Sequence, residues 1–395
     1  MVTLEDAHAL ILAQARDFGT EWVSLQDAVG RVLATDIYTD RDYPPFNRAA
    51  VDGYAFQKED WDTGIREFRC IEHIFAGEKP QKEIKSGECY KIMTGSAVPS
   101  PANVLIKIED ANTLEDTITF NIENVSAFEN IALKGEDRKA ETLIISKNTS
   151  LDALIIGSLA VVGYKSVEVY SLPKVTVIST GNEVKPLGEP VSDVEIRDSN
   201  SYVLEAFLKR FGIILENKLL IPDDPVLLTE AIEKALATSD ILILSGGVSA
   251  GDADYVPGIL KEQGVAEIFH KVNIKPGKPL WFGKHKSGTI VFGLPGNPFS
   301  VQVGYKLFIE PFLNACLHQD PINFYTVPLN KERVKKSRLN EFFPCILNKE
   351  DFSITPSKFN GSGDISAALF TNGIGFHPSS IQELPKYSKV RFIFW

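Results

Sequence analysis

Several loops of this 395-residue sequence combine glycine, lysine and carboxylate in a way that suits a phosphate-bearing ligand. In Ser245-Gly-Gly-Val-Ser-Ala-Gly-Asp-Ala-Asp254, Gly246, Gly247 and Ser249 follow an apolar run. Glycines there let the backbone approach an anion and offer it N–H groups, or they simply make a tight strand-to-helix turn. Asp254 either caps a helix before Tyr255 or, with Asp252, shares a Mg2+ with phosphate. Lys271, Lys275 and Lys278 fall within eight positions that end in Pro-Gly-Lys-Pro279. They are either a solvated face or point charges for phosphate. In Gly293-Leu-Pro-Gly-Asn-Pro-Phe-Ser300, Asn297 is a good N-cap and Pro298 suits the first helical position. A helix starting there offers free N–H groups and its positive dipole end to an anion, or is a well-capped buried helix. Carboxylates recur in Thr180-Gly-Asn-Glu183 and Pro222-Asp-Asp-Pro225. Asp52 before Gly53, and Gly135-Glu-Asp137, have the pattern of ordinary turns.

Other chemistry finds little support. There is no nucleophile elbow, zinc-protease helix, Walker loop or dinucleotide fingerprint. Of the scattered histidines, only His270, beside Lys271, is placed to line an anion site. Cys70, Cys89, Cys316 and Cys345 form no C-x-x-C pair, which disfavours a disulfide framework or structural zinc and fits a reducing cytoplasm.

The elements that must position these loops alternate. Apolar runs at Lys174–Ser179, Ile213–Ile221 and Ile241–Leu244 read as strands, as do Pro279–Phe282 and Thr289–Phe292. Helices between them begin at Asp198 or Ser199, at Asp224-Pro225 with Asp224 capping, and near Tyr255, and the last runs to about Leu313. This pattern predicts a doubly wound, mainly parallel α/β domain over 173–320. Ligands in such sheets bind beyond the carboxyl ends of the strands, where every loop named above in this half falls. Residues 1–172 read as a mixed region of two domains, one a β-rich insertion at about 50–140. Residues 321–395 read as a small β domain. No apolar run is long enough to span a membrane, and Met1–Arg16 is amphipathic rather than a signal peptide. With 41 basic against 52 acidic residues the net charge is −11, which argues against a nucleic-acid surface.

Taken together, the loops resemble the molybdopterin molybdenumtransferase family. The resemblance runs through PPFNRAAVDGYA (Pro44–Ala55), KIMTGSAVP (Lys91–Pro99), Gly135-Glu-Asp137, STGNE (Ser179–Glu183), DSN (Asp198–Asn200), DDP (Asp223–Pro225), SGGVSAGDADY (Ser245–Tyr255), IKPGKP (Ile274–Pro279) and GLPGNPFS (Gly293–Ser300). GSGDIS (Gly361–Ser366) is a weaker match. The resemblance implies a cytoplasmic homodimer of multidomain subunits. It implies insertion of molybdenum from molybdate into adenylylated molybdopterin with release of AMP, assisted by Mg2+. Glu183, Asp224 and Asp254 would serve the pterin and Mg2+ region. Asp52, Thr94 and Asp137 would close the site from a partner subunit. Gly246, Gly247, Ser249, Lys271, Lys275, Lys278, Pro279, Asn297, Pro298 and Ser300 would hold molybdate or phosphate. Two departures stand out. Asn182 replaces the family's usual aspartate, and Asn340-Glu-Phe-Phe-Pro344 lacks the two arginines of Arg-Glu-Phe-x-Arg, so that an anion contact there is lost or is supplied by another residue such as Lys358. The alternatives are a molybdopterin adenylyltransferase, which resembles only the central domain, and a non-enzymatic scaffold paralogue.

Overall fold

The computed structural model describes residues 1–248 and 255–395. They form two compact units. One comprises Met1–Ala34, Ser150–Asp152 and Val167–Trp395, the other Thr35–Thr149 and Ala153–Ser166. The expected N-terminal region 1–172 is thus divided. Helix α1 (Leu4–Leu12) buries Leu4, Ala7 and Ile11, spaced three and four apart on one face. They enter the same core as Val175, Ile243 and Phe282, so the first helix belongs to the α/β unit.

The second unit is built on a six-stranded sheet ordered Val104–Lys107, Gly53–Phe56, Glu88–Ile92, Glu67–Ile74, Thr117–Phe120, Ala111–Leu114. Gly53 opens a fully buried strand rather than a turn. A Cβ on it would lie 1.9 Å from the Ile106 carbonyl oxygen of the strand paired beside it, so only glycine fits there.

In the first unit six strands form one sheet. They are β1 (Val175–Thr180), β2 (Leu215–Ile221), β3 (Ile241–Ser245), β4 (Val265–His270), β6 (Trp281–His285) and β7 (Ile290–Leu294), in the order β2-β1-β3-β7-β6-β4. The first four in that order run parallel, and β6 is antiparallel to both its neighbours. Strands β1, β3 and β7 are buried at every position, as continuous apolar runs between two helical layers must be. Helices α2 (Asn200–Lys209), α3 (Pro225–Thr238), α4 (Val256–Glu262) and α5 (Pro298–Gly304) complete the alternation. The long last helix foreseen to about Leu313 continues beyond α5 to Cys316, with a wider π turn at Tyr305–Ile309. The order β2-β1-β3 reverses the direction of winding between β1 and β3, and this places the crevice of the sheet at their carboxyl ends.

The C-terminal segment forms a second sheet. Its strands are β8 (Tyr325–Pro328), β9 (Asn340–Leu347), β10 (Gly373–His377) and β11 (Lys389–Phe394), with the short strand Ile354–Pro356 also pairing on β9. Its edge is β5 (Ile274–Lys275), a two-residue strand from the lysine loop that pairs in parallel with β9. The α/β segment and the β tail expected to part at 320/321 are therefore joined by backbone pairing. No helix of the described residues is long and apolar enough to cross a membrane, and all four cysteines are free thiols.

Candidate functional site

A cleft of about 1070 Å3 opens at the carboxyl ends of β1, β3 and β7. The loops after these strands line it, through Thr180–Gly181, Ser245–Val248 and Pro295–Pro298. The glycine turn after β3 passes so close to β1 that a Cβ on Gly246 would lie 2.4 Å from the Thr180 carbonyl oxygen. Gly246 also has φ +97°, and its N–H donates to the Leu294 carbonyl at 3.0 Å. The turn is therefore bonded to β7 and pressed against the end of β1, and glycine is required both by that close approach and by the positive φ.

Most of the residues expected to hold an anion meet here. Gly246, Gly247, Lys275, Lys278, Pro279, Asn297, Pro298 and Ser300 all line the cleft. Lys278 is exposed and forms no salt bridge among the described residues, whereas Lys275 Nζ lies 3.4 Å from Glu341 Oε1. Asn297 stands at the cap position of α5, yet its side chain does not cap. Its Nδ2 instead donates to Ser362 Oγ at 3.0 Å, tying the Gly361–Ser366 segment to the cleft.

Three expectations are corrected. Lys271 does not line the cleft. Its backbone donates to the Leu280 carbonyl and accepts from Val2 N, in an irregular segment with φ +74° that turns it away from the other two lysines. His270 is likewise outside the lining, with Nε2 3.0 Å from the Val248 carbonyl oxygen. Asp224 is the helix cap, its Oδ1 accepting from Val226 N and Leu227 N, while its neighbour Asp223 faces the cleft. The start of a helix forces this split, because the capping side chain must fold back over the first turn. Ser249 and Asp254 lie outside the described residues.

The acidic lining is Glu183, Glu195, Asp198 and Asp223. Asp198 is buried and accepts from Ser179 Oγ and Ser201 N, so it organises the start of α2. Glu195 is held down to about 2 by the Ser192 backbone N–H first, then the Ser192 hydroxyl and Lys185. Asp223 Oδ1 accepts from Thr180 Oγ1 at 2.6 Å, and Asn182 Oδ1 accepts from Asp223 N. The residue that departs from the family's aspartate thus serves as a backbone brace. No cluster of three or more metal-ligating side chains occurs among the described residues. Glu183 and Asp223 are two carboxylates of this lining.

Arg197 and Asp223 also stand in the lining, where Asp224 of the adjacent pair was expected. Arg197, from the short strand Ile196–Arg197, is the one arginine of the described lining, and its guanidinium donates to the Glu189 carbonyl at 3.2 Å. Asn200 donates through Nδ2 to Ser245 Oγ and to the Gly296 carbonyl, while its buried Oδ1 has no partner among the described residues. Lys358 is not in the lining, so it does not replace the missing arginines. Arg333 does not either. Its guanidinium is committed to Glu341 Oε2 at 2.7 Å and to His377 Nδ1 at 2.7 Å.

In the second unit Asp52 and Thr94 come together at the ends of paired strands. Thr94 donates both N–H and Oγ1–H to Asp52 Oδ1 at 2.7 Å, and these bonds, the hydroxyl's first, lower the carboxyl's pKa. Asp137 donates its N–H to the Tyr43 carbonyl, with its side chain exposed.

The mainly parallel sheet, its switch-point crevice and the lysine and glycine loops around it define an α/β fold whose cleft suits an anionic small molecule. Residues 2–163 match the family model described as the MoeA N-terminal region (domain I and II), and residues 176–315 match that of a probable molybdopterin binding domain. A Staphylococcus epidermidis protein named molybdopterin molybdenumtransferase is 32% identical over 384 residues, covering 94% of this chain and 90% of its own length. One from Staphylococcus aureus is 30% identical over 380 residues with the same coverage. The crystal structure of a molybdopterin biosynthesis MoeA protein from Pyrococcus horikoshii matches with a TM-score of 0.84 at 30% identity, over 100% of this chain and 99% of that one. The chain belongs to the molybdopterin molybdenumtransferase family.

Proposed function

We propose that this protein is a transferase that inserts molybdenum into molybdopterin, taking adenylylated molybdopterin and molybdate as substrates and releasing AMP. The observation that carries this reading is the convergence of Lys275, Lys278 and the Gly246–Gly247 turn at one crevice. Both substrates are anions, and two ammonium groups with preorganised backbone donors are the means to hold them. The described lining contains no cysteine or histidine. That suits a reaction run by binding and charge stabilisation: molybdate exchanges oxygen ligands for the dithiolene sulfurs, and a phosphoanhydride is cleaved by water. Glu183 and Asp223 would hold Mg2+, with Asp254 as a third carboxylate. When bound, the ion would neutralise phosphate charge and polarise a phosphoryl oxygen. Following the family resemblance, the protein works as a homodimer in the cytoplasm, with Asp52, Thr94 and Asp137 serving the site of the partner subunit.

The test supplies pre-formed adenylylated molybdopterin and molybdate without ATP. AMP release with formation of active cofactor is the expected result, and a requirement for ATP would instead make the protein an adenylyltransferase. The match of residues 2–163 to the MoeA N-terminal region favours the first outcome. A Lys275→Ala/Lys278→Ala double variant should fail to rescue a host lacking molybdoenzyme activity. Full rescue would favour the scaffold reading.

A further inference from the structure

We propose that Glu341 is a positioning residue that holds the Lys275 ammonium toward the cleft for oxyanion binding. The inference rests on the reading of Lys275 as an oxyanion contact. A carboxylate with only 9% of its side chain exposed, next to a site for anions, needs a physical reason. Its surroundings supply one. Lys275 and Glu341 are paired residues of β5 and β9, and their side chains meet at 3.4 Å. The other carboxylate oxygen accepts from Arg333 at 2.7 Å, and Arg333 is itself only 14% exposed. The second guanidinium nitrogen donates to His377 Nδ1 at 2.7 Å, and His377 Nε2–H then donates to the Ile381 carbonyl at 3.0 Å. Both bonds are satisfied at once only by the neutral Nε2–H tautomer. The chain Lys275–Glu341–Arg333–His377 is therefore anchored in the C-terminal sheet at one end and free at the other, where Lys275 is 57% exposed.

This arrangement serves binding in two ways. A lysine on a flexible four-carbon stem loses rotamer freedom when it grips a ligand, and a partner that already restrains it removes part of that loss. The ammonium has three donors, so one can stay on Glu341 while two face the cleft. Arg333 compensates the carboxylate, so Glu341 can tether Lys275 without presenting an unbalanced negative charge to the anion. Burial alone would raise the Glu341 pKa, but Arg333 and then Lys275 outweigh it and the carboxyl stays below its usual range, hence ionised.

Calorimetric titration of sodium molybdate into the full-length protein tests this without any pterin. Glu341→Gln should weaken molybdate binding by about five- to tenfold through lost preorganisation. In a Lys275→Ala background the same change should have no further effect, because Glu341 acts through Lys275. Tighter binding by Glu341→Gln would mean that Glu341 is only a repelling charge and would overturn the proposal. So would an equal weakening with and without Lys275, which marks a purely structural role. If Lys275→Ala by itself leaves molybdate affinity unchanged, the assignment of Lys275 to the anion site falls first. Should Glu341→Gln fail to fold, Arg333→Lys keeps the charge but loses the two-pronged grip. It should give a smaller weakening that again depends on Lys275, and independence of Lys275 would overturn the proposal.

Discussion

Lys278 and His377 lie at opposite extremes of exposure. Lys278 sits exposed in the cleft without a carboxylate partner among the described residues, so its charge is available to a ligand. Removing a charge-assisted hydrogen bond costs about 1.5–3 kcal/mol, so Lys278→Ala should weaken molybdate or phosphate binding roughly ten- to hundredfold, read by titration, with the thermal midpoint little changed. His377 is fully buried and pushed down to about 4, by burial first and then by Arg333 and Lys335. In the unfolded chain its pKa returns to about 6.5, so the unfolded state binds the proton more readily. The stability contributed by neutral His377 is thus complete above that value and is lost as pH falls from there toward 4. Urea unfolding across this window should show a decline of up to roughly 3 kcal/mol from this group. His377→Gln should flatten that part of the profile, and an unchanged slope would rule out His377 as its source.

At the scale of elements, the helix starts and strand ends decide which neighbouring residues face the ligand. Asp224 caps α3 through two backbone N–H groups, so Asp224→Ala should cost about 1 kcal/mol of unfolding free energy, and Asp224→Asn much less. Neither should alter the Mg2+ concentration needed for activity. Asp223→Asn should raise it, and the reverse pattern would restore Asp224 as the ligand. Gly246 lies where β3 meets β1, at φ +97° and with no room for a Cβ. Gly246→Ala should cost on the order of 1–3 kcal/mol in backbone strain alone and lower the thermal midpoint as well as anion affinity. A variant that melts like the parent would show that the turn can relax away from Thr180.

For the whole molecule, each of the two units has its own core, while the helix, strand and loop that form the cleft all lie in one of them. The homodimer proposed from the family resemblance should sediment at twice the chain mass of 43.7 kDa. If Asp52 serves the partner's site, a mixture of Asp52→Ala chains with Lys278→Ala chains should recover activity that neither has alone, because one site of each mixed dimer is then unaltered. No recovery after exchange of subunits would place Asp52 outside the reaction. The net charge of −11 is no obstacle to anionic substrates, since what the ligand meets is the local arrangement, in which Lys275, Lys278 and Arg197 line the cleft beside its four carboxylates.

The sequence by itself determined five of the six strands of the α/β sheet and the helices between them, because those strands are short apolar-rich runs and the helices carry their own start signals; the edge strand β4 (Val265–His270), only partly buried, went unread. It also determined which loops end at the crevice: Gly246–Gly247, Lys275–Pro279 and Asn297–Ser300 were legible from residue type and spacing alone. Tertiary structure decided what local pattern leaves open. It separated Asp223 from Asp224, because capping consumes one of two adjacent carboxylates. It turned Lys271 away, because an irregular segment has no period from which direction can be read. It brought Glu341 to Lys275 across 66 positions of sequence by pairing two strands, a contact that no local signal encodes. It also assigned α1 to the core of a sheet that begins more than 160 residues later, because apolar side chains are buried wherever the chain returns and not where the sequence first offers them.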